Sequence, residues 1–358
     1  MTKGWHIWLG AFVLMLFIYA TKAVLLPFIA GLAVAYLLDP VTDKFEEWKL
    51  PRWLATTVVL ILFFVTITGI VLAIFPLLKA QISALLSSLP GYFTALRPVF
   101  EDLWQDLTAR FNVDMAVEGS SLVEGAISTG LSKLGDILAG FWSGGMAIFN
   151  FLGLLLITPV VAFFLLRDWD VLIAKVDSLL PKNKAARVRT IAKDIDYALG
   201  GFVRGQTLAA IIMAFAYGIG WTLVGLEYAL VLGLIGGIMA YIPYAGALFT
   251  AFLAVLIGIG QFGLDWGQLA LVVAVYGAVQ VLEGVLLTPN LIGSRIRLHP
   301  VWVLFAIFAG GELMGFVGVL IAIPAAAVIG VLIRHVVTDY LGSPLHGSKK
   351  KAVAKKAK

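Results

Sequence analysis

The sequence predicts an all-α fold, a polytopic integral membrane helical bundle, and three observations carry that reading. Eight apolar runs lie at about 5–20, 23–38, 53–75, 146–166, 206–224, 229–260, 267–288 and 301–334. Only 13% of the 358 residues are charged, against about 25% in soluble domains. The mean hydropathy is +0.99, more apolar surface than a soluble core can hide. A bilayer accepts that excess, because its hydrocarbon is as apolar as the side chains.

The runs justify the elements in order. A helix needs roughly 20 apolar residues to cross a ~30 Å hydrocarbon core, and most of the runs qualify. Helices are the expected form, since a segment in lipid must satisfy its own backbone. The period-2 alternation of a membrane barrel is absent. About eight membrane segments are therefore expected, two of them broken or re-entrant, plus amphipathic surface helices. Residues 1–75 form the N-terminal membrane helices. The first run is preceded only by Lys3, no small-residue cleavage site follows it, and no cleavable signal is expected.

Residues 76–145 are different. They hold most of the mid-chain acids and the breakers Pro76, Pro90, Gly91 and Pro98. Within them Val99, Phe100, Leu103, Trp104, Leu107 and Phe111 recur at helical spacing around Glu101, Asp102 and Asp106, which predicts an amphipathic helix. Residues 146–204 combine a span with a second polar segment. There Val188, Ile191, Ile195 and Leu199 form an apolar stripe beside Lys184, Arg187, Arg189 and Lys193. Lysine and arginine bias sets the orientation. Segment 167–204 carries eight basic residues and is placed in the cytoplasm, while 76–145 carries four and is placed outside. Both termini then fall inside.

Residues 205–342 are expected to form a C-terminal core. Gly205–Ser294 contains no Lys or Arg, and the next two are Arg295 and Arg297. Counting four full spans from 206 to 334 puts that basic loop outside, against the charge bias. Both demands are met if 229–260 and 301–334 each enter and leave on one side. The first is broken at Tyr241-Ile242-Pro243-Tyr244-Ala245-Gly246, the second at Gly310-Gly311-Glu312-Leu313-Met314-Gly315 and again at Pro324. Paired Gly/Pro interruptions point to a transporter binding site. Two readings stand at this stage, re-entrant hairpins and continuous kinked spans.

Four acids lie in or near these runs. Glu227 and Asp265 sit at run ends, as interface residues do. Glu283 lies inside 267–288 with Gln280 one turn before it, and Glu312 lies in the glycine-rich break. A carboxylate at bilayer depth is costly and functional by default, here as a carrier of a proton or sodium ion. The alternative is a buried acid paired with Arg204 or Arg295. Arg204 reads either as a snorkelling interfacial charge or as part of a gate. The neutral polar set is Gln206, Tyr241, Gln280 and Asn290, with His299 on the far side of the basic loop and Thr158-Pro159 as a kink.

Several chemistries are excluded or disfavoured. The chain has no cysteine, hence no disulfide or thiolate site, and its four scattered histidines suggest no metal cluster. Phosphate-binding P-loop, HExxH and GxSxG motifs are absent, so neither an enzyme nor an organic cofactor is expected. Residues 343–358 hold six lysines and no acids, leaving a net charge of −1 on residues 1–342. That pattern predicts a cytoplasmic tail near anionic lipid and no nucleic-acid partner.

The motifs together resemble the autoinducer-2 exporter family, or PerM-type permeases. The matching stretches are Pro27–Gly31 leading to Ala35-Tyr36-Leu37-Leu38-Asp39-Pro40, Thr158-Pro159 to Arg167-Asp168, and Gly201-Phe202-Val203-Arg204-Gly205-Gln206. Further on they are Ile242–Gly246, Glu283 with Thr288-Pro289-Asn290, and His299-Pro300 through Gly310-Gly311, Gly315, Gly318 and Pro324. Their order and spacing are more specific than any one piece. The resemblance implies an inner-membrane permease exporting a small polar signal, or in some members a sodium/proton antiporter. It also implies a homo-oligomer, a pentamer, that works by an elevator-like shift. From the residues and this resemblance together, the expected solute and ion pathway comprises Arg204, Gln206, Tyr241, Pro243, Gly246, Gln280, Glu283, Pro289, Asn290, His299, Gly311, Glu312 and Gly315. A non-transporting membrane scaffold is the third reading.

Overall fold

The computed structural model describes residues 24–111, 145–293 and 298–342, with isolated positions at Gly10, Val13, Ala20, Thr21, Gly125 and Thr129. The apolar run at 5–20, the stretch around 112–144, Arg295 and Arg297, and the lysine-rich tail lie outside the described residues. What is described is helical, with no strand among the described residues. The α-helices are α1 (Leu25–Glu47), α2 (Arg52–Phe111), α3 (Gly145–Ser178), α4 (Ala185–Val224), α5 (Ala229–Met239), α6 (Ala245–Phe262), α7 (Trp266–Val281) and α8 (Pro300–Gly342). A π-helix, Leu282–Gly293, follows α7 directly. Six stretches among the described residues are long and apolar enough to cross a membrane.

One expectation changes. Residues 99–111 are helical, but as the last turns of α2, a single 60-residue helix that runs through Pro76, Pro90 and Pro98. At 1.5 Å per residue it is about 90 Å long. A proline removes one backbone hydrogen bond and bends a helix. The helix nevertheless continues through all three positions. Along 61–77, Ile61, Leu62, Val65, Ile70, Leu72 and Phe75 are all exposed, a surface suited to lipid and not to water.

The chain divides into two compact units, each described by itself. The first comprises the described parts of Met1–Val59, Ile157–Gly205 and Pro289–Lys358, and the second those of Leu60–Leu156 and Gln206–Thr288.

In the first unit, Ala198 and Phe202 of α4 bury against Ile323, Ala327 and Val331 of α8. Ile191 and Ile195 of the expected stripe pack on this cluster, so the basic segment lays its apolar face on α8. Two surface contacts reinforce that pairing: His335 Nε2 lies 2.7 Å from Asp194 Oδ2, and Arg187 pairs with Asp339. Helices α1 and α3 touch closely, for a Cβ on Gly31 would stand 2.8 Å from Val161 Cβ. Thr158, in the predicted kink, donates to the Pro27 carbonyl at 3.4 Å.

Helix α8 is two helices joined at Gly315, whose φ of 62° and ψ of −141° are not helical. The chain turns back there. A Cβ on Gly310 would sit 2.5 Å from the Gly318 carbonyl oxygen, a contact that residues eight apart on one helix, about 12 Å along its axis, cannot make. The 301–334 run is a hairpin.

In the second unit, α5 and α6 form the other hairpin. Helix α5 has 11 residues, about 17 Å, too short to span. Gly236 of α5 faces Thr250 of α6, and a Cβ on it would be 3.0 Å from Thr250 Cγ2. Small residues also let α5 press on α4. A Cβ on Gly237 would lie 2.6 Å from the Ala210 carbonyl oxygen, and one on Gly233 would lie 2.7 Å from that of Ala214. Between apolar helices in lipid, association rests on such close van der Waals packing rather than on exclusion of water. Tyr217 and Trp221 of α4 stack at 4.7 Å, and Trp221 Nε1 donates to the Val272 carbonyl of α7 at 3.2 Å.

Candidate functional site

The second unit gathers six of the expected residues: Gln206, Tyr241, Pro243, Gly246, Gln280 and Glu283. They surround the tip of the α5–α6 hairpin, residues 240–244. Tyr244 takes a left-handed φ of 64° there, and Gly246 touches the Met239 carbonyl so closely that no Cβ fits.

A broken helix leaves backbone groups without their usual partners. Here the partners are supplied. Gln206 is buried and donates from Nε2 to the Ala240 carbonyl at 2.8 Å. The Tyr241 hydroxyl and Thr207 Oγ1 are 2.7 Å apart. Tyr276 of α7 donates to the Ala247 carbonyl at 3.2 Å, and Tyr217 donates to Gln280 Oε1 at 3.0 Å. Gln206 and Tyr241 of the neutral polar set therefore brace the hairpin, while Gln280 ties α7 to α4.

Beneath the tip is a small cavity of about 20 Å³, walled by Tyr217, Tyr244, Thr250, Pro243 and Glu283. A water needs about 10–15 Å³ by this measure, so the space holds one water or one bare cation. Glu283 is half-buried in the first turn of the π-helix. No ion pair reaches it among the described residues, whereas Arg204 gives Nη1 to the Tyr36 carbonyl at 3.3 Å. π-Helical turns inside helices occur frequently at functional sites. This one re-aims the backbone where an acid meets the cavity.

The first unit holds the other seven. Pro289 and Asn290 lie on the exposed remainder of the π-helix. His299 immediately precedes α8, its Nδ1 accepting from Val301 N at 3.3 Å, the position of a helix cap. Gly311, Glu312 and Gly315 form the tip of the α8 hairpin, and Glu312 is exposed.

Glu227 and Asp265 have local duties. Tyr92 donates to Glu227 Oε2 at 2.6 Å, and Gln261 clasps the same turn by accepting from Glu227 N and donating to the Gly225 carbonyl. Asp265 caps α7, accepting from Gly267 N and Gln268 N.

Sequence reasoning passed over two sets of residues. Tyr217, Tyr244 and Thr250 line the cavity, but tyrosines in apolar runs are also ordinary interface anchors. The second set centres on Arg52, which reaches Asp43 at 2.7 Å, Glu46 at 2.9 Å, Asp39 at 3.1 Å and Asp170 at 3.5 Å, and donates to the Leu166 carbonyl. The spacing of Asp39, Asp43 and Glu46 places three acids on one helical face, a signal that could have found it.

Comparison with known proteins follows the same lines. The model of the AI-2E family transporter matches residues 9–338. The Bacillus subtilis (strain 168) protein named "Putative transport protein YrrI" is 30% identical over 320 residues, covering 88% of this chain and 87% of its own. Another from that organism, "Putative transport protein YueF", is 27% identical over 329 residues, covering 91% and 88%. The Escherichia coli (strain K12) protein "Putative permease PerM" is 27% identical over 321 residues, covering 88% of each. The family match, spanning nearly the whole described fold, places this multi-pass helical membrane chain in the AI-2E transporter family.

Proposed function

We propose that this chain is a secondary transporter of the bacterial inner membrane that exports a small polar solute of the autoinducer-2 class. In this reading Glu283 carries the coupling proton or sodium ion, and the two hairpins serve an elevator-like shift within a homo-oligomer. Both termini are cytoplasmic. The observation that carries the proposal is the Glu283 carboxylate, free of any described ion pair, facing a small cavity at the tip of a broken helix inside an apolar run. A charge in such a place is costly and is retained for transport.

The cavity's size favours a second reading, sodium/proton antiport, because about 20 Å³ takes a bare cation or a water and excludes a sugar-like ring. In that reading Glu283 works alone or with Glu312.

Purified protein in proteoliposomes tests the antiport reading. A sodium gradient should drive proton flux, and Glu283→Gln should lower it at least tenfold, with Glu312→Gln showing whether the second acid takes part. Flux that survives both changes removes the antiport reading. For the export reading, a strain lacking the gene should release less signal, restored by the gene but not by Glu283→Gln. An unchanged external signal, with no solute-dependent flux, would leave only a scaffold.

A further inference from the structure

A second cavity lies in the first unit and does not depend on the Glu283 reading. Its volume is about 60 Å³, and it is lined by Tyr36 and Asp39 of α1, Leu166 and Trp169 of α3, and Asp196 of α4. That is room for about four water-sized probes, hence for an occupant of about four heavy atoms. Residues 32, 35, 36 and 39 recur at i, i+3, i+4 and i+7, so one face of α1 forms a wall.

The wall chemistry is specific. Tyr36 and Trp169 stand edge to face, ring centroids 6.2 Å apart and planes at 66°. The Tyr36 hydroxyl lies beside the Asp196 carboxylate. Asp39 shares Arg52 with Asp43, Glu46 and Asp170, so one guanidinium is divided among four carboxylates. Arg204 donates to the Tyr36 backbone carbonyl and is a second cation beside that ring, so two guanidinium groups stand against five carboxylates, Asp196 included. The cavity is thus negative, small and walled by two aromatic rings. No group of three or more His, Asp or Glu side chains among the described residues is placed to hold a metal ion. A neutral solute would gain no ion pairing from this wall, and an anion would be repelled. A protonated alkylamine meets every feature. Its ammonium pairs with carboxylate, its attached carbons lie on the rings, and the rings attract the cation.

We propose that this cavity between α1, α3 and α4 binds a small primary ammonium ion, with Asp196 and Asp39 as its anionic wall and Tyr36 and Trp169 as its aromatic wall. The ammonium can belong to a free amine or to an ethanolamine lipid head group.

The test is equilibrium dialysis of radiolabelled ethanolammonium against the purified full chain, in detergent and in nanodiscs of either phosphatidylglycerol or phosphatidylethanolamine. Saturable binding of about one per chain is expected, displaced by methylammonium but not by ethylene glycol or equimolar potassium. Asp196 is exposed, so Asp196→Asn should keep the melting temperature while weakening binding about fivefold, the upper share of an exposed ion pair. Trp169→Leu should weaken it roughly threefold, the share of a partly exposed cation–π contact. Suppression in phosphatidylethanolamine nanodiscs identifies the lipid head group as the ligand, and equal binding in both lipids identifies a soluble amine. Absence of saturable binding in detergent and in phosphatidylglycerol, displacement by potassium, or undiminished binding in folded Asp196→Asn overturns the proposal.

Discussion

Gln206 and Glu283 are both polar residues in apolar runs, and the structure gives them different work. Gln206 ends on a backbone carbonyl that the broken helix cannot satisfy. Removing one partner of a buried hydrogen bond costs roughly 1–3 kcal/mol, because the other is left dry. Gln206→Leu should therefore lower the thermal midpoint by several degrees and reduce transport in proportion to folded protein. Full stability with abolished flux would make Gln206 a pathway residue instead. Thr56 is the opposite case. Its hydroxyl is buried with no partner among the described residues. Thr56→Val keeps the shape and removes the unpaired group, so the midpoint should hold or rise by a few degrees. A fall would show that the hydroxyl has a partner. Neither role was legible in the sequence, where both side chains are simply polar positions in apolar runs. Partners 34 residues away, as for Gln206 and Ala240, are fixed only by folding.

At the scale of elements, glycine and proline mark the two breaks, and the sequence located both. Whether a break is a kink or a reversal is not local information. It depends on whether the two halves can touch, which Gly310 against Gly318 and Gly236 against Thr250 decide. The same signal misleads in α2, where three prolines interrupt nothing. The turn of α8 itself rests on Gly315, at a φ of 62° and ψ of −141°, a region that costs a side-chain-bearing residue about 1–3 kcal/mol. Gly315→Ala should lower the melting midpoint. Gly318→Ala should lower it more, because its Cβ would run into the Gly310 carbonyl, which is backbone and cannot turn aside. If both variants melt with the parent, the halves of α8 do not close on each other.

At the scale of the whole molecule, charge and hairpins answer one question together. From Gly205 to Ser294 there is no Lys or Arg to fix a side, so the positive-inside rule says nothing about what lies between the basic segment before α4 and the basic pair Arg295 and Arg297. Run lengths establish how many apolar stretches exist but not the parity of crossings, and each hairpin that returns to its own side removes one. With α4 leaving the cytoplasm, a returning α5–α6 hairpin keeps Leu264 outside. Helix α7 then brings the basic pair back inside, where the bias wants it. Two continuous kinked spans would instead put Leu264 in the cytoplasm and the basic pair outside. The absence of cysteine makes the distinction measurable. Leu264 is 45% exposed, and Leu264→Cys should react with an impermeant maleimide added to intact cells. Lys182→Cys and Gly342→Cys should react only after permeabilisation, in either arrangement, and so report that the cells are sealed. A Leu264→Cys variant that labels only with them would mean that 229–260 crosses the membrane once, and the elevator reading would lose one of its two hairpins.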